Sequence, residues 1–273
     1  MNDRKFAEQF GPWALVTGAS SGIGTAFAHG VAAKGLNVVL TGRREERLNE
    51  IADELKASYA IQTRVVTTNL AGDAFLADIR QTTDALDVGL IVSNAGAGSL
   101  GAMLKVDVEE LADRLALNTT AHLRLAHHFG ERLVAKGKGG ILLVGSMAGM
   151  QGTPLAGNYA GAKAYIHNLG QALNYELNGT GVHVSVTVPG PTNTPGLTER
   201  TDIDLAQLPG PVMSADKLVA IGLDGLAKNR PLVVAGRSNR LMDFMFRRVM
   251  PRQTGRNMMG MMAAKHAPAE LRM

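Results

Sequence analysis

Tyr159 and Lys163 stand four residues apart, and Ser146 lies thirteen residues before the tyrosine. Positions i and i+4 share one face of a helix, so the phenol and the ammonium would meet on the same side. A free phenol titrates near 10 and is a poor base at neutral pH. A neighbouring cation favours phenolate. The pair therefore reads as a tuned acid for reducing a carbonyl and a tuned base for oxidising an alcohol. Ser146 follows a short apolar run that reads as a strand. The carboxyl ends of strands are where open α/β sheets bind ligands, and a hydroxyl there could hydrogen-bond a carbonyl oxygen. A Tyr–Lys pair alone arises often by chance. The serine and a glycine-rich segment earlier in the chain give it weight.

That segment is Thr17-Gly18-Ala19-Ser20-Ser21-Gly22-Ile23-Gly24. It follows an apolar run and opens a helical pattern. Glycines allow a tight turn and let the backbone approach a pyrophosphate. The free N–H groups at the start of the helix then face the phosphates. Gly18, Ser20, Ser21, Gly22, Ile23 and Gly24 are accordingly candidate dinucleotide contacts. The end of the second apolar run reads Leu40-Thr41-Gly42-Arg43-Arg44. A carboxylate there would hold the ribose 2′-hydroxyl of NAD. Arg43 and Arg44 suit a 2′-phosphate instead, because guanidinium binds phosphate in a planar fork. NADP(H) is the expected cofactor, in preference to NAD(H).

These residues need elements to hold them. Short Val/Ile/Leu-rich runs fall at 13–17, 37–41, 62–68, 88–93, 140–145, 182–188 and 231–235, with helical patterns between them. Continuous apolar runs of this length indicate strands covered on both faces. Their alternation with helices predicts a seven-stranded parallel sheet in a doubly wound α/β three-layer sandwich. The 273 residues, 45% hydrophobic and 19% charged, exclude disorder as the main state. With no cysteine, thiolate catalysis, a disulfide framework and Cys-ligated zinc are excluded, and a reducing cytoplasm is the expected location. The N-terminal residues do not read as a secretory signal. His122, His127 and His128 share one helical segment and read as surface or interface residues; no metal site is expected.

The ordered set of motifs resembles the short-chain dehydrogenase/reductase family over about residues 12–235. It comprises the glycine turn, Asn94-Ala95-Gly96 after the fourth strand, Asn118, Ser146, Tyr159 with Lys163, and Pro189-Gly190 with Thr192 and Thr194 after the sixth. The resemblance implies a Rossmann-type fold and hydride transfer between a nicotinamide and a ketone, aldehyde or secondary alcohol. It implies that Tyr159 donates the proton, that Lys163 lowers the pKa of the phenol and binds the nicotinamide ribose, and that Ser146 orients the carbonyl. Asn118 is implied to hold a water linking Lys163 to bulk. Asn94, Ala95 and Gly96 are implied to support the adenosine side, and Pro189, Gly190, Thr192 and Thr194 the carboxamide. Two departures stand out. Asn69-Leu70 occupies the place where the family often has an aspartate touching adenine, and Ser93 stands where many members have asparagine.

Residues 1–236 are expected to form one catalytic domain, with a substrate lid near 195–211 that mixes leucines with charges. Residues 237–273 form a basic, Met-rich extension. Eight Lys/Arg face two Asp/Glu in it, so the extension carries +6 and the remainder −2. The basic balance therefore belongs to the extension, and a nucleic-acid groove across the body is not expected. Three readings of the extension stay open: an amphipathic helix packed on the body or a sister subunit, a wall over a long apolar substrate, and interfacial contact with anionic lipid. The leading expectation is an NADPH-dependent reductase of a moderately apolar small-molecule carbonyl, acting as a homodimer or homotetramer through segments 118–136 and 159–178. The alternatives are a non-catalytic nucleotide-binding regulator and a membrane-associated protein of the same fold.

Overall fold

The computed structural model describes residues 1–98, 100–194, 212–267 and 269–272. Each apolar run becomes a strand whose ends lie within one residue of the sequence reading. These are β1 (Trp13–Thr17), β2 (Asn37–Gly42), β3 (Thr63–Thr67), β4 (Val88–Ser93), β5 (Gly139–Val144), β6 (Val182–Val188) and β9 (Leu232–Val234). They pair in parallel in the order β3-β2-β1-β4-β5-β6-β9. A short parallel ribbon that the sequence did not announce, β7 (Thr192–Asn193) with β8 (Met213–Ser214), sits beside this sheet. The expected lid at 195–211 lies outside the described residues.

Alternate side chains of a strand point to opposite faces, and both faces here are apolar. Ala14, Val16, Val38, Leu40, Leu90 and Val92 pack with Phe6, Phe27, Ile51 and Leu223 on one side. Those helical residues belong to α1 (Asp3–Phe10), α2 (Gly22–Ala32), α3 (Glu45–Tyr59) and α8 (Ala215–Ala227). Trp13, Leu15, Val39 and Ile91 pack with Phe75, Leu125, Phe129 and Ile166 on the other, supplied by α4 (Phe75–Thr83), α6 (Thr120–Lys136) and α7 (Gly157–Glu176). Between α4 and α6 runs α5 (Val108–Asn118), whose N-cap Asp107 accepts from the Glu109 and Glu110 N–H groups. Strand β3 lies at the sheet edge and is only partly covered. Its exposed Arg64 places a charge on that edge and sits over the Trp13 ring, 5.5 Å from the centroid.

The basic extension folds as α9 (Arg237–Phe244), a π-helical turn (Met245–Val249) and α10 (Arg252–His266). Asn239, Phe246 and Ala263 are buried. The extension reaches the loop after β5, where Arg247 contacts the Met150 sulfur and the backbone at Gly255 lies against the side chain of Gln151. Among the described residues, no helix is long and apolar enough to cross a membrane.

Candidate active site

The sheet order changes direction between β1 and β4, and the strand ends there open a crevice at their carboxyl side. Buried Thr17 closes the floor. Its hydroxyl accepts from the Asn94 and Ala95 N–H groups at 2.8 and 3.0 Å, and the Asn94 amide donates to the Thr17 carbonyl at 3.0 Å. This clamp presses Asn94-Ala95 onto the glycine turn. A Cβ on Gly24 would run into the Gly18 carbonyl, and one on Gly18 would come within 3.0 Å of Ala95 Cα. Gly18 and Gly22 adopt φ of +65° and +59°, where an L side chain is strained. Ser20 and Ser21 form the turn between them, and Ile23 packs against the core from the first turn of α2. Thr194 stands opposite, 3.1 Å from where a Gly22 Cβ would lie. Ser21, the N-cap of α2, makes no side-chain capping bond, and the first turn carries no acid. The leading N–H groups of a helix lack intrahelical partners and suit an anion.

Arg43 and Arg44 are both exposed at the end of β2. Arg44 donates to the Ser20 carbonyl at 2.7 Å, which draws its guanidinium across the turn. Asn69 is exposed and accepts from the Ala71 N–H of its own loop at 3.2 Å, while Leu70 is core.

Strand β5 delivers Ser146, and α7 delivers Tyr159 and Lys163 on one stripe. Ser146 caps the short 3-10 turn Met147–Met150, accepting from the Ala148 N–H at 3.2 Å. Its side chain also hydrogen-bonds the phenol of Tyr159. Lys163 is 3% exposed; its ammonium donates to the Val144 carbonyl at 3.0 Å and lies 5.7 Å from the Tyr159 ring centroid. The pKa expectation for the phenol needs correction. Burial pushes it up, against the weaker pull of the Ser146 bond. The ammonium lies over the ring and is directed at a backbone carbonyl, and the net shift of the phenol is upward. Lys163 itself is lowered to about 8 by burial.

Asn118, the last residue of α5, is 1% exposed. Its amide donates to the Ala97 and Arg114 carbonyls, each at 2.8 Å, and its Oδ1 is buried without a partner. A Cβ on Gly96 would meet that oxygen at 2.7 Å and the Lys163 ammonium at 3.2 Å. Gly96 thus leaves room for a hydroxyl or water between an orphaned acceptor and a cation. Across the crevice, the Pro189 carbonyl accepts from the Met147 N–H at 2.9 Å, and the Thr192 hydroxyl donates to the Gly190 carbonyl at 3.0 Å.

Some residues of this region were not assigned to the site from the sequence. His122, expected at the surface or at an interface, is instead inside the subunit, 1% exposed. Its Nε2 donates to the Ala95 carbonyl at 2.9 Å, which leaves Nδ1 to accept from the Ser93 hydroxyl at 2.7 Å. Burial, then the charge of Lys163, takes its pKa to about 3. Ser93 at the asparagine position is therefore matched by a histidine from α6. His167, one turn beyond Lys163, is also buried, and Asn239 of the extension packs against Gly190. Helical spacing from Lys163 could have flagged His167; nothing local flags Asn239.

The glycine turn, the unpaired helix start, the exposed arginine pair and the orphaned Asn118 oxygen fit a dinucleotide in this crevice. A family model described as short chain dehydrogenase matches residues 12–204. The 7beta-hydroxysteroid dehydrogenase of Collinsella aerofaciens is 34% identical over 203 residues, 74% of each chain. A solved structure from work on 7beta-hydroxysteroid dehydrogenase stereoselectivity has a TM-score of 0.86 at 30% identity, covering 95% of this chain and 99% of that one. A short-chain dehydrogenase from Sphingobium yanoikuyae in complex with NADPH has a TM-score of 0.77 at 33% identity, covering 85% and 91%.

Proposed function

Since the chain belongs to the short-chain dehydrogenase/reductase family and is an NAD(P)-dependent oxidoreductase of CH–OH/C=O groups, we propose that it is an NADPH-dependent reductase of a bulky, moderately apolar ketone. The observation that carries this reading is the shared location of Ser146, Tyr159, Lys163 and the orphaned Asn118 oxygen at the strand ends beside the glycine turn. Similarity to a hydroxysteroid dehydrogenase supports a polycyclic ketone or secondary alcohol as the first substrate class to test.

The family resemblance, taken with these surroundings, supports a role for each residue. NADPH, when bound, supplies the hydride. The glycine turn and the start of α2 hold its pyrophosphate, and Arg43, with Arg44 beside it, holds the 2′-phosphate. Asn94, Ala95 and Gly96 form the adenosine-side wall, and Pro189, Gly190, Thr192 and Thr194 hold the carboxamide. Asn69 and Leu70 border the adenine. The Tyr159 phenol, kept protonated by burial, hands its proton to the substrate oxygen. Ser146 donates a hydrogen bond to that same oxygen. Lys163 binds the ribose hydroxyls, and its charge steadies the phenolate left behind. That ammonium then supplies the proton that restores the phenol, and a water held by Asn118 Oδ1 returns one to the lysine. Residues 1–236 carry all of this as one catalytic domain, and the extension packs against the loop that bears Ser146. Two copies pair through α6 and α7.

The test is a panel of ketones and aldehydes, a keto-steroid among them, followed by loss of NADPH absorbance. Tyr159→Phe should lower turnover by about 10² or more while NADPH still binds. Undiminished turnover in that variant overturns the assignment.

A further inference from the structure

Tyr159, Lys163 and His167 follow one another at four-residue intervals along α7, so all three lie on the stripe that faces the end of β5. Tyr159 and Lys163 have roles in the proposed chemistry. His167, 4% exposed, has none yet. Its ring is wedged beneath the loop that carries Ser146. A Cβ on Gly145 would collide with its Nε2, and one on Gly149 would come within 2.8 Å of its Cε1. The two glycines thus leave the space that the imidazole fills.

The backbone of this loop shows what the ring does there. The Gly145 N–H donates to the Thr187 carbonyl at 2.8 Å, and the Met147 N–H to the Pro189 carbonyl at 2.9 Å. Both are directed toward β6 and its continuation. Ser146, extended at φ −165° and ψ 150°, sits between them, and successive N–H groups of an extended chain point in opposite directions. Its N–H donates to His167 Nε2 at 3.3 Å.

We propose that His167 is a positioning residue for Ser146: by accepting the serine's backbone N–H inside the space left by Gly145 and Gly149, it fixes the direction of the hydroxyl toward Tyr159 and the substrate oxygen. The proposal rests on the role given to Ser146 above. Nε2 must be unprotonated to accept, so the ring is neutral with its hydrogen on Nδ1. Burial, then the charges of Lys163 and Arg247, holds it so down to about 4. A displacement of this loop by about 1 Å can cost on the order of a hundredfold in rate, because the reacting groups leave their near-attack geometry.

The experiment has two readouts on the full-length enzyme. In amide hydrogen exchange followed by NMR, His167→Leu should speed exchange at Ser146 by about tenfold or more, and His167→Gln, whose amide oxygen can accept, should restore part of the protection. With a keto-steroid as probe at saturating NADPH, His167→Leu should lower kcat by about tenfold or more while NADPH affinity stays within about twofold. In a Ser146→Ala background it should cost nothing further, since it acts through that hydroxyl. Unchanged protection at Ser146, or a His167→Leu loss that multiplies with that of Ser146→Ala, overturns the inference and leaves the catalytic reading intact. A Ser146→Ala variant with full turnover overturns the serine's role and this inference with it. Should His167→Leu fail to fold, Gly145→Ala pushes the ring aside from the other partner and should give the same pattern; its failure to do so also counts against the proposal.

Discussion

Burial keeps the Tyr159 phenol protonated at neutral pH and lowers Lys163 to about 8. The two shifts suit one direction of chemistry, since an acid must hold its proton until the carbonyl oxygen needs it. A pH prediction follows from the lysine. Its ammonium is present below about 8 and is lost as pH rises through that value. In the free enzyme, kcat/KM for carbonyl reduction should therefore fall above about pH 8, and Lys163→Met should give a low rate that is flat across this window. A parent profile that stays level to pH 10 refutes the link. At Arg43 the prediction concerns the cofactor. A charge-assisted hydrogen bond to phosphate contributes about 1.5–3 kcal/mol. Arg43→Ala should weaken NADPH at least about tenfold in a binding titration and leave NADH within about twofold, and equal losses would remove the 2′-phosphate assignment.

At the scale of elements, the turn from β1 into α2 is the least replaceable piece. Gly24 lies against the Gly18 carbonyl and close to the Asn94 amide. Gly24→Ala has no flexible neighbour to displace and must move backbone. It should cost more than about 2 kcal/mol by denaturant unfolding, a loss of the size expected from forced overpacking, and abolish NADPH binding. A variant with parental stability and affinity would contradict this geometry. The strands were legible because each is a continuous apolar run, and a strand covered on both faces admits little else. The ribbon of β7 and β8 was not legible, since two-residue strands carry no period. His122 was misread for a related reason. One polar residue on an amphipathic helix says nothing about its depth until the Ser93 hydroxyl and the Ala95 carbonyl are seen to take both of its nitrogens.

At the scale of the whole molecule, α5, α6 and α7 present Leu115, Leu123 and Tyr165 at 42%, 42% and 38% exposure around a concavity of about 370 Å³. Their position on α6 and α7 supports pairing of two copies there. Replacing Leu123 and Tyr165 together with glutamate would place two carboxylates in that contact, and like charges buried without partners are costly. Light scattering should then report a species of half the parental mass or less, with far-ultraviolet circular dichroism unchanged. An unaltered mass would overturn pairing through these helices. The basic extension also acts at this scale. Arg247 meets Met150 and Gly255 meets Gln151, so a segment about a hundred residues later in the chain backs the loop that follows Ser146.

Residue types and spacing determined the alternation of strands and helices, the glycine turn, the arginine pair and the Tyr–Lys stripe, because each depends on near neighbours in the chain. Backbone periodicity and side-chain chemistry act over a few residues and can be read locally. Only the tertiary structure decided that burial raises the phenol, that His122 and His167 lie inside, and that the Asn118 oxygen is left open beside Lys163. Desolvation and hydrogen-bond satisfaction depend on what distant segments bring to the same place, and no local pattern records that.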